Sequence, residues 1–317
     1  MKKILITRKL IKASEDYASK IFDVKLNKND KLLTKEEMLV NSKDCDGILT
    51  SLTEKIDADF INNLPEKIKI ISNFAVGFGN IDIVAARKKN IIVTNTPDVL
   101  TDATAEIAML ILLGAARRAK EGIDWANKKN WKWSADFLMG KQLTGARLGI
   151  LGMGRIGRAV ANIAKSFGMV IHYHNRSQLD ISLEKGAVYH KNLKSLLSVS
   201  DFFSINCPAT NETKHIINAE TLKYFPDGAI LSNSARGDMI EDNAMVEALK
   251  SGKIYSLGLD VYNGEPNIHP EYLTLKNVFV LPHLGSATIG TRTAMGNLAI
   301  SNLEEFFSTG KCKNTIN

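Results

Sequence analysis

The sequence predicts an α/β protein with two doubly wound parallel-sheet domains, on three observations. Short apolar runs alternate with amphipathic stretches from the first residue onward, the pattern of a parallel sheet flanked by helices. That alternation restarts near Leu148, after one long apolar segment. The 317 residues exceed what a single hydrophobic core usually organises.

In the first half, KKILIT, DGILTS, IKIISNF and NIIVTN read as strands, with helices near residues 13–21, 35–41, 57–63 and 80–89. The stretch TDATAEIAMLILLGAARRAKEG is small and apolar over most of its circumference, so it reads as one long buried helix connecting the halves. From Leu148, LGILG, MVIHYH, FFSIN, AILSNSA, YSLGLDV and VFVLP read as strands, with helices between most of them. A last helix, roughly Thr288 to Phe307, has no strand to lead into and is expected to return to the first domain.

Composition narrows the function classes. With 44% hydrophobic and 24% charged residues the chain is neither disordered nor fibrous. Its longest apolar stretch, Ile107 to Ala116, is about half of the roughly 20 residues a membrane span needs. The start MKKILITRKL lacks the apolar core of a secretory signal, so a cytoplasmic location is expected. Cys45, Cys207 and Cys312 are scattered, fitting neither a disulfide framework nor a metal spacing, and read as reduced thiols with no metal site. The net charge of +7 is spread along the chain without an aromatic-basic motif. A solvated surface is expected, with neither nucleic acid nor membrane as partner.

Gly152-Met153-Gly154-Arg155-Ile156-Gly157 follows a strand and opens a helix, the setting that gives GxGxxG its meaning. Gly152 permits the tight turn, Gly154 lets the backbone approach a pyrophosphate, and Gly157 lets helix and strand pack closely. The helix N-terminus offers free N–H groups and partial positive charge to the phosphates. About 20 residues on, an acid binds the ribose 2′-hydroxyl when the cofactor is NAD; here stand Asn175-Arg176-Ser177. A neutral residue removes the repulsion of a 2′-phosphate, and the guanidinium and hydroxyl offer it bonds, so NADP is expected. NAD remains possible if Asn175 bonds the ribose of either cofactor.

Ligands of open α/β sheets lie outside the carboxyl ends of the strands. Arg236 ends AILSNSARG, Asp260 and Glu265 follow YSLGL, and His283 follows VFVLP. The arginine can fork onto a carboxylate and its neighbouring carbonyl oxygen, polarising the carbon that receives hydride. The histidine, with its ordinary titration near neutrality, can give a proton to the developing alkoxide. A carboxylate behind the imidazole fixes its tautomer and favours its charged form.

In motif order and over nearly its whole length, the sequence resembles the D-isomer-specific 2-hydroxyacid dehydrogenases, through LGILGMGRIGRAVA, NSARGDMIEDNAMVEALKSGKI, GLDVYNGEP and LPHLGSAT. The resemblance implies a Rossmann NAD(P)-binding domain, residues 99–286, inserted into a flavodoxin-like substrate-binding domain built from residues 1–98 and 287–317. It implies Arg236 as substrate arginine, Glu265 as orienting acid and His283 as general acid/base. Backbone N–H groups of Val76 and Gly77 would receive the substrate carboxylate, with Leu52 and Trp133 shaping the pocket. Thr104, Cys207, Pro208, Thr213, Ser234, Ala235, Asp260, His283 and Ser286 would join the glycine turn (Gly152 to Gly157) and Asn175 to Ser177 as cofactor contacts. Within the family the chain looks most like the glyoxylate and hydroxypyruvate reductases. The segment NWKWSADFLMGKQLTG resembles a dimerisation arm and implies a homodimer. A D-3-phosphoglycerate or other D-2-hydroxyacid dehydrogenase is the alternative, and a dinucleotide-sensing corepressor of the C-terminal-binding-protein type, which shares fold and catalytic residues, is a third.

Overall fold

The computed structural model describes residues 1–129 and 132–317. The chain forms two compact units, Met1–Leu100 with Ser286–Asn317, and Thr101–Gly285.

The first unit holds a five-stranded parallel sheet of β1 (Lys3–Ile6), β2 (Asp23–Leu26), β3 (Gly47–Ser51), β4 (Ile70–Phe74) and β5 (Ile92–Thr94), in the order β2-β1-β3-β4-β5. Alternation along the strands covers both faces. Ile4, Ile6, Leu49 and Ile70 pack with Ala18, Ala299, Ile300 and Leu303, while Leu5, Ile48 and Ile71 pack with Met38, Phe60 and Ala86. The helix Ile289–Thr309 therefore completes one layer of this unit, and the Ser72 hydroxyl donates to the Ala299 carbonyl at 2.8 Å. Strand β2 was not anticipated: DVKL is an edge strand with no buried residue, so it carries no apolar run. The helix expected over 80–89 spans only Ile83–Lys88, because the Asp82 side chain caps it by accepting from the Ala85 amide at 2.9 Å.

The second unit holds seven parallel strands: β6 (Arg147–Leu151), β7 (Val170–His174), β8 (Val188–Tyr189), β9 (Phe202–Ile205), β10 (Ala229–Asn233), β11 (Ile254–Leu259) and β12 (Val278–Val280). Their order, β12-β11-β10-β9-β6-β7-β8, reverses direction at β6. The crevice at such a switch point is where open α/β sheets bind ligands. The helix Thr101–Ala116 is buried along most of its length against this sheet, as its all-round apolar character requires. The expected single helix is broken, however. Arg118 takes the left-handed conformation (φ 54°), its guanidinium forks onto Glu121 with both bonds 2.8 Å long, and a second helix runs Ala119–Asn127. No glycine or proline marks that break. Among the described residues, no helix is long and apolar enough to cross a membrane.

Candidate active site

The glycine turn links β6 to the helix Arg155–Ser166. Gly152 has φ +92°, and a Cβ there would sit 2.5 Å from the Cys207 amide nitrogen. A Cβ on Gly157 would overlap the Gly152 carbonyl oxygen, so turn and helix touch through bare backbone. At Gly154 a Cβ would meet nothing within 4 Å. That position faces open space at an uncapped helix N-terminus, the side from which a pyrophosphate can approach. Met153 is buried, Ile156 half-buried and Arg155 exposed.

At the end of β7, the Asn175 side-chain oxygen accepts from the Met153 amide at 2.7 Å. Arg176 and Ser177 are exposed beside it. Across from them, in the loop after β9, Glu212 accepts from the Thr210 hydroxyl at 2.6 Å. That bond, aided by the charge of Arg176, holds the Glu212 carboxyl below the usual carboxylate range. Thr213 braces the same loop, donating to the Pro208 carbonyl at 2.9 Å.

Two polar atoms at the carboxyl ends of β9 and β10 fit a cofactor. The Ser234 hydroxyl and the Asn206 side-chain oxygen are buried without a hydrogen-bond partner among the described residues, a costly state unless a ligand pairs them. Together with the open face at Gly154, they give this unit a hydroxyl, an acceptor and the room a dinucleotide requires.

Beyond β10 the chain turns tightly. The fully buried Asn233 accepts from the Ala235 amide at 3.0 Å and donates to the Arg236 carbonyl at 2.8 Å. Burial presses the Arg236 guanidinium below its ordinary range, with Glu265 and Asp238 opposing. After β11, Asp260 is 1% exposed and accepts from the Leu284 and Gly285 amides at 2.7 and 2.8 Å. Burial still raises its carboxyl above the usual range. Thr104 holds the same segment from the other side, donating to the Gly285 carbonyl at 3.2 Å.

After β12, His283 Nδ1 lies 2.7 Å from Glu265 Oε2, while Glu265 Oε1 accepts from the Tyr262 amide at 2.9 Å. Burial alone would raise Glu265, but the bond to His283, the Tyr262 amide and the charge of Arg236 outweigh it and hold the carboxyl low. A charged acid thus backs a histidine on its Nδ1 side, leaving Nε2 as the proton-transfer atom.

The comparisons with known proteins decide the family. Residues 109–285 match the family model of the D-isomer specific 2-hydroxyacid dehydrogenase NAD binding domain. The chain is 42% identical over 309 residues to glycerate dehydrogenase of Hyphomicrobium methylovorum, covering 96% of each protein. The chain belongs to the D-isomer specific 2-hydroxyacid dehydrogenases. This dehydrogenase is also 41% identical over 310 residues to glyoxylate reductase of Pyrococcus horikoshii, covering 96% of this chain and 92% of that one. Among solved structures, the NADPH-dependent glyoxylate/hydroxypyruvate reductase of Sinorhizobium meliloti, in complex with NADP and malonate, matches with a TM-score of 0.88 at 30% identity over 99% of this chain and 96% of that one.

The dehydrogenase places the remaining expected residues in two groups. In the first unit, Leu52 is exposed after β3, and Val76 and Gly77 lie in the loop after β4. The Thr96 amide donates to the Ala75 carbonyl at 3.0 Å and the Asn95 side chain to the Val76 carbonyl at 2.8 Å. Because a trans peptide sets its N–H opposite its C=O, these two bonds aim the Val76 and Gly77 amides away from Thr96 and the Asn95 side chain, and neither has a partner among the described residues. Ser286 accepts from the Thr288 amide at 2.8 Å in this unit. In the second unit, Trp133 is 75% exposed, while Asn130 and Trp131 of its segment lie outside the described residues. Sequence reading missed Asn206, Asn233 and Tyr262. Tyr262 donates its hydroxyl to the Leu281 carbonyl at 2.5 Å and its amide to Glu265, tying both sides of the acid–histidine pair. Its only sequence signal is its place within GLDVYNGEP.

Proposed function

We propose that this dehydrogenase reduces glyoxylate and hydroxypyruvate to the corresponding 2-hydroxy acids, with NADPH preferred over NADH. The observation that carries the reading is the Glu265–His283 pair, 2.7 Å apart, at the same strand-end edge as Arg236 and the glycine turn. Arg236 binds the substrate carboxylate and polarises the 2-oxo group. His283, oriented by Glu265, delivers a proton to the oxygen as negative charge develops there. The bound reduced nicotinamide supplies the hydride. Asp260 fixes the backbone that follows His283, and the first unit serves as the substrate domain, with the Val76 and Gly77 amides as its carboxylate donors. Arg176 and Ser177 read the 2′-phosphate. The names of the relatives support this choice of substrate, since glycerate is the reduction product of hydroxypyruvate. A homodimer built through the segment containing Trp133, working in the cytoplasm, completes the reading.

The test is NADPH oxidation followed at 340 nm with a panel of 2-oxo acids. Turnover should be fastest with glyoxylate or hydroxypyruvate. A complete lack of turnover with every 2-oxo acid would overturn the enzyme reading in favour of a dinucleotide-sensing protein.

A further inference from the structure

We propose that Glu54 and Asn80 are a positioning pair that sets the substrate-carboxylate grip of this enzyme, an inference resting on the assignment of Val76 and Gly77 above. Strands β3 and β4 are parallel neighbours, with Thr50 opposite Asn73 and Ser51 opposite Phe74. The loops that leave them carry Leu52 on one side and Val76 and Gly77 on the other. The first of these loops also carries Glu54, 2% exposed. One of its oxygens accepts three bonds, from the Ser51 amide (2.8 Å), the Ser51 hydroxyl (2.9 Å) and the Thr50 hydroxyl (3.1 Å). The other oxygen is buried with no partner among the described residues.

Asn80 closes the connection. Its side-chain nitrogen donates to the carbonyls of Ser51 at 2.9 Å and Glu54 at 3.1 Å. Its side-chain oxygen accepts from Asn73 at 3.4 Å, and Asn73 also donates to the Gly77 carbonyl at 2.9 Å. The Ile56 amide adds a bond to the Asn80 carbonyl at 2.8 Å. A chain of polar contacts thus runs from the Glu54 carboxylate to Ser51, and from the Ser51 and Glu54 carbonyls through Asn80 and Asn73 to the loop that carries the Val76 and Gly77 amides. Burying a half-satisfied carboxylate is expensive, and an apolar side chain would hold a loop at lower cost. The cost falls where two loops must be kept in register, which is what a rigid pair of amide donors needs to hold a carboxylate in fixed geometry.

A grip that acts on the carboxylate in ground and transition states alike shows itself in KM rather than kcat. In the dehydrogenase with NADPH bound, Glu54→Ala is expected to raise KM for glyoxylate and Kd for oxalate by roughly tenfold or more, with kcat within about threefold and KM for NADPH unchanged. Glu54→Gln keeps an acceptor for the Ser51 donors and should stay close to wild type. Asn80→Ala, at a half-buried position, should show the same split in milder form and carries the test if Glu54→Ala does not fold. Parallel losses in kcat, both KM values and Tm, with Glu54→Gln equally damaged, would reduce the pair to a structural role and overturn the proposal. Amide resonances of Val76 and Gly77, followed during oxalate titration of the wild-type complex, separate the two levels of inference. If they do not move, the loop does not receive the carboxylate, and both readings fall. If they move while both variants bind oxalate as wild type does, the positioning pair alone falls.

Discussion

The Asn175 side-chain oxygen accepts from the Met153 amide, 2.7 Å away, so the residue at the end of β7 offers a ribose its N–H donors and an acceptor already shared with the glycine turn. A free 2′-hydroxyl lacks the second carboxylate oxygen that an acid would give it, whereas a 2′-phosphate accepts from Asn175 and Arg176 alike. A charge-assisted bond from arginine is worth about 1.5 to 3 kcal/mol, or roughly ten- to a hundredfold in affinity. Asn175→Asp combined with Arg176→Ala is therefore expected to shift the preference from NADPH toward NADH, because the aspartate keeps one oxygen for Met153 and turns the other to the ribose. The kcat/KM values for both cofactors measure it. A wild type that prefers NADH would count against a phosphate-reading role for Arg176.

His283→Ala should lower kcat by about 10²-fold or more while NADPH affinity stays nearly intact, the result expected when a general acid is removed. Equal loss of cofactor binding, read by fluorescence titration, would mean that His283 is structural.

Glu265 is held ionised, so its negative charge stands behind the imidazole throughout the working pH range. Glu265→Gln keeps a hydrogen bond possible but withdraws the charge that steadies the imidazole as a general acid, so kcat should fall by roughly tenfold or more while NADPH affinity holds. An unchanged kcat would uncouple the two residues.

The glycines of the turn separate folding from binding. Gly157→Ala would force a methyl group into the Gly152 carbonyl and should lower Tm and cofactor affinity together. Gly154 has φ −74° and open space around its missing Cβ, so Gly154→Ala should leave Tm unchanged yet weaken NADPH binding, the methyl group standing where phosphate must approach. Thermal melts with and without NADPH distinguish the two.

Burial pushes all three thiols up, Cys207 to about 11. At pH 8 only about one Cys207 in a thousand is thiolate. Native protein should react slowly with a chromogenic disulfide and release three equivalents on unfolding. Prompt modification of Cys207 would contradict its close packing beside Gly152.

The sheets were legible wherever a strand lies inside its layer, because a doubly covered strand must be an apolar run. Strands β2 and β8 were not, since the first is an edge strand without buried residues and the second only two residues long. The helix break at Arg118 leaves no mark either, being set by the fork onto Glu121 rather than by a breaker residue. Arg236, Asp260, Glu265 and His283 could be singled out because charge directly after an apolar run is costly to bury without a purpose. Asn233 and Tyr262 could not. Their work is done through backbone atoms of residues up to nineteen positions away, and nothing in residue type announces it.

The first unit needs chain from both sides of the second, and this ordering matters while the polypeptide is being made. Ile4, Ile6, Leu49 and Ile70 receive their cover of Ala299, Ile300 and Leu303 only after the whole of Thr101–Gly285 has been synthesised. At ordinary ribosomal speeds that leaves one face of the leading sheet only partly covered for on the order of ten to forty seconds. A nascent chain in that interval has only the helix carrying Ala18 over this face and is the species a chaperone would hold, whereas the intervening unit has all its own layers in hand before the last helix emerges.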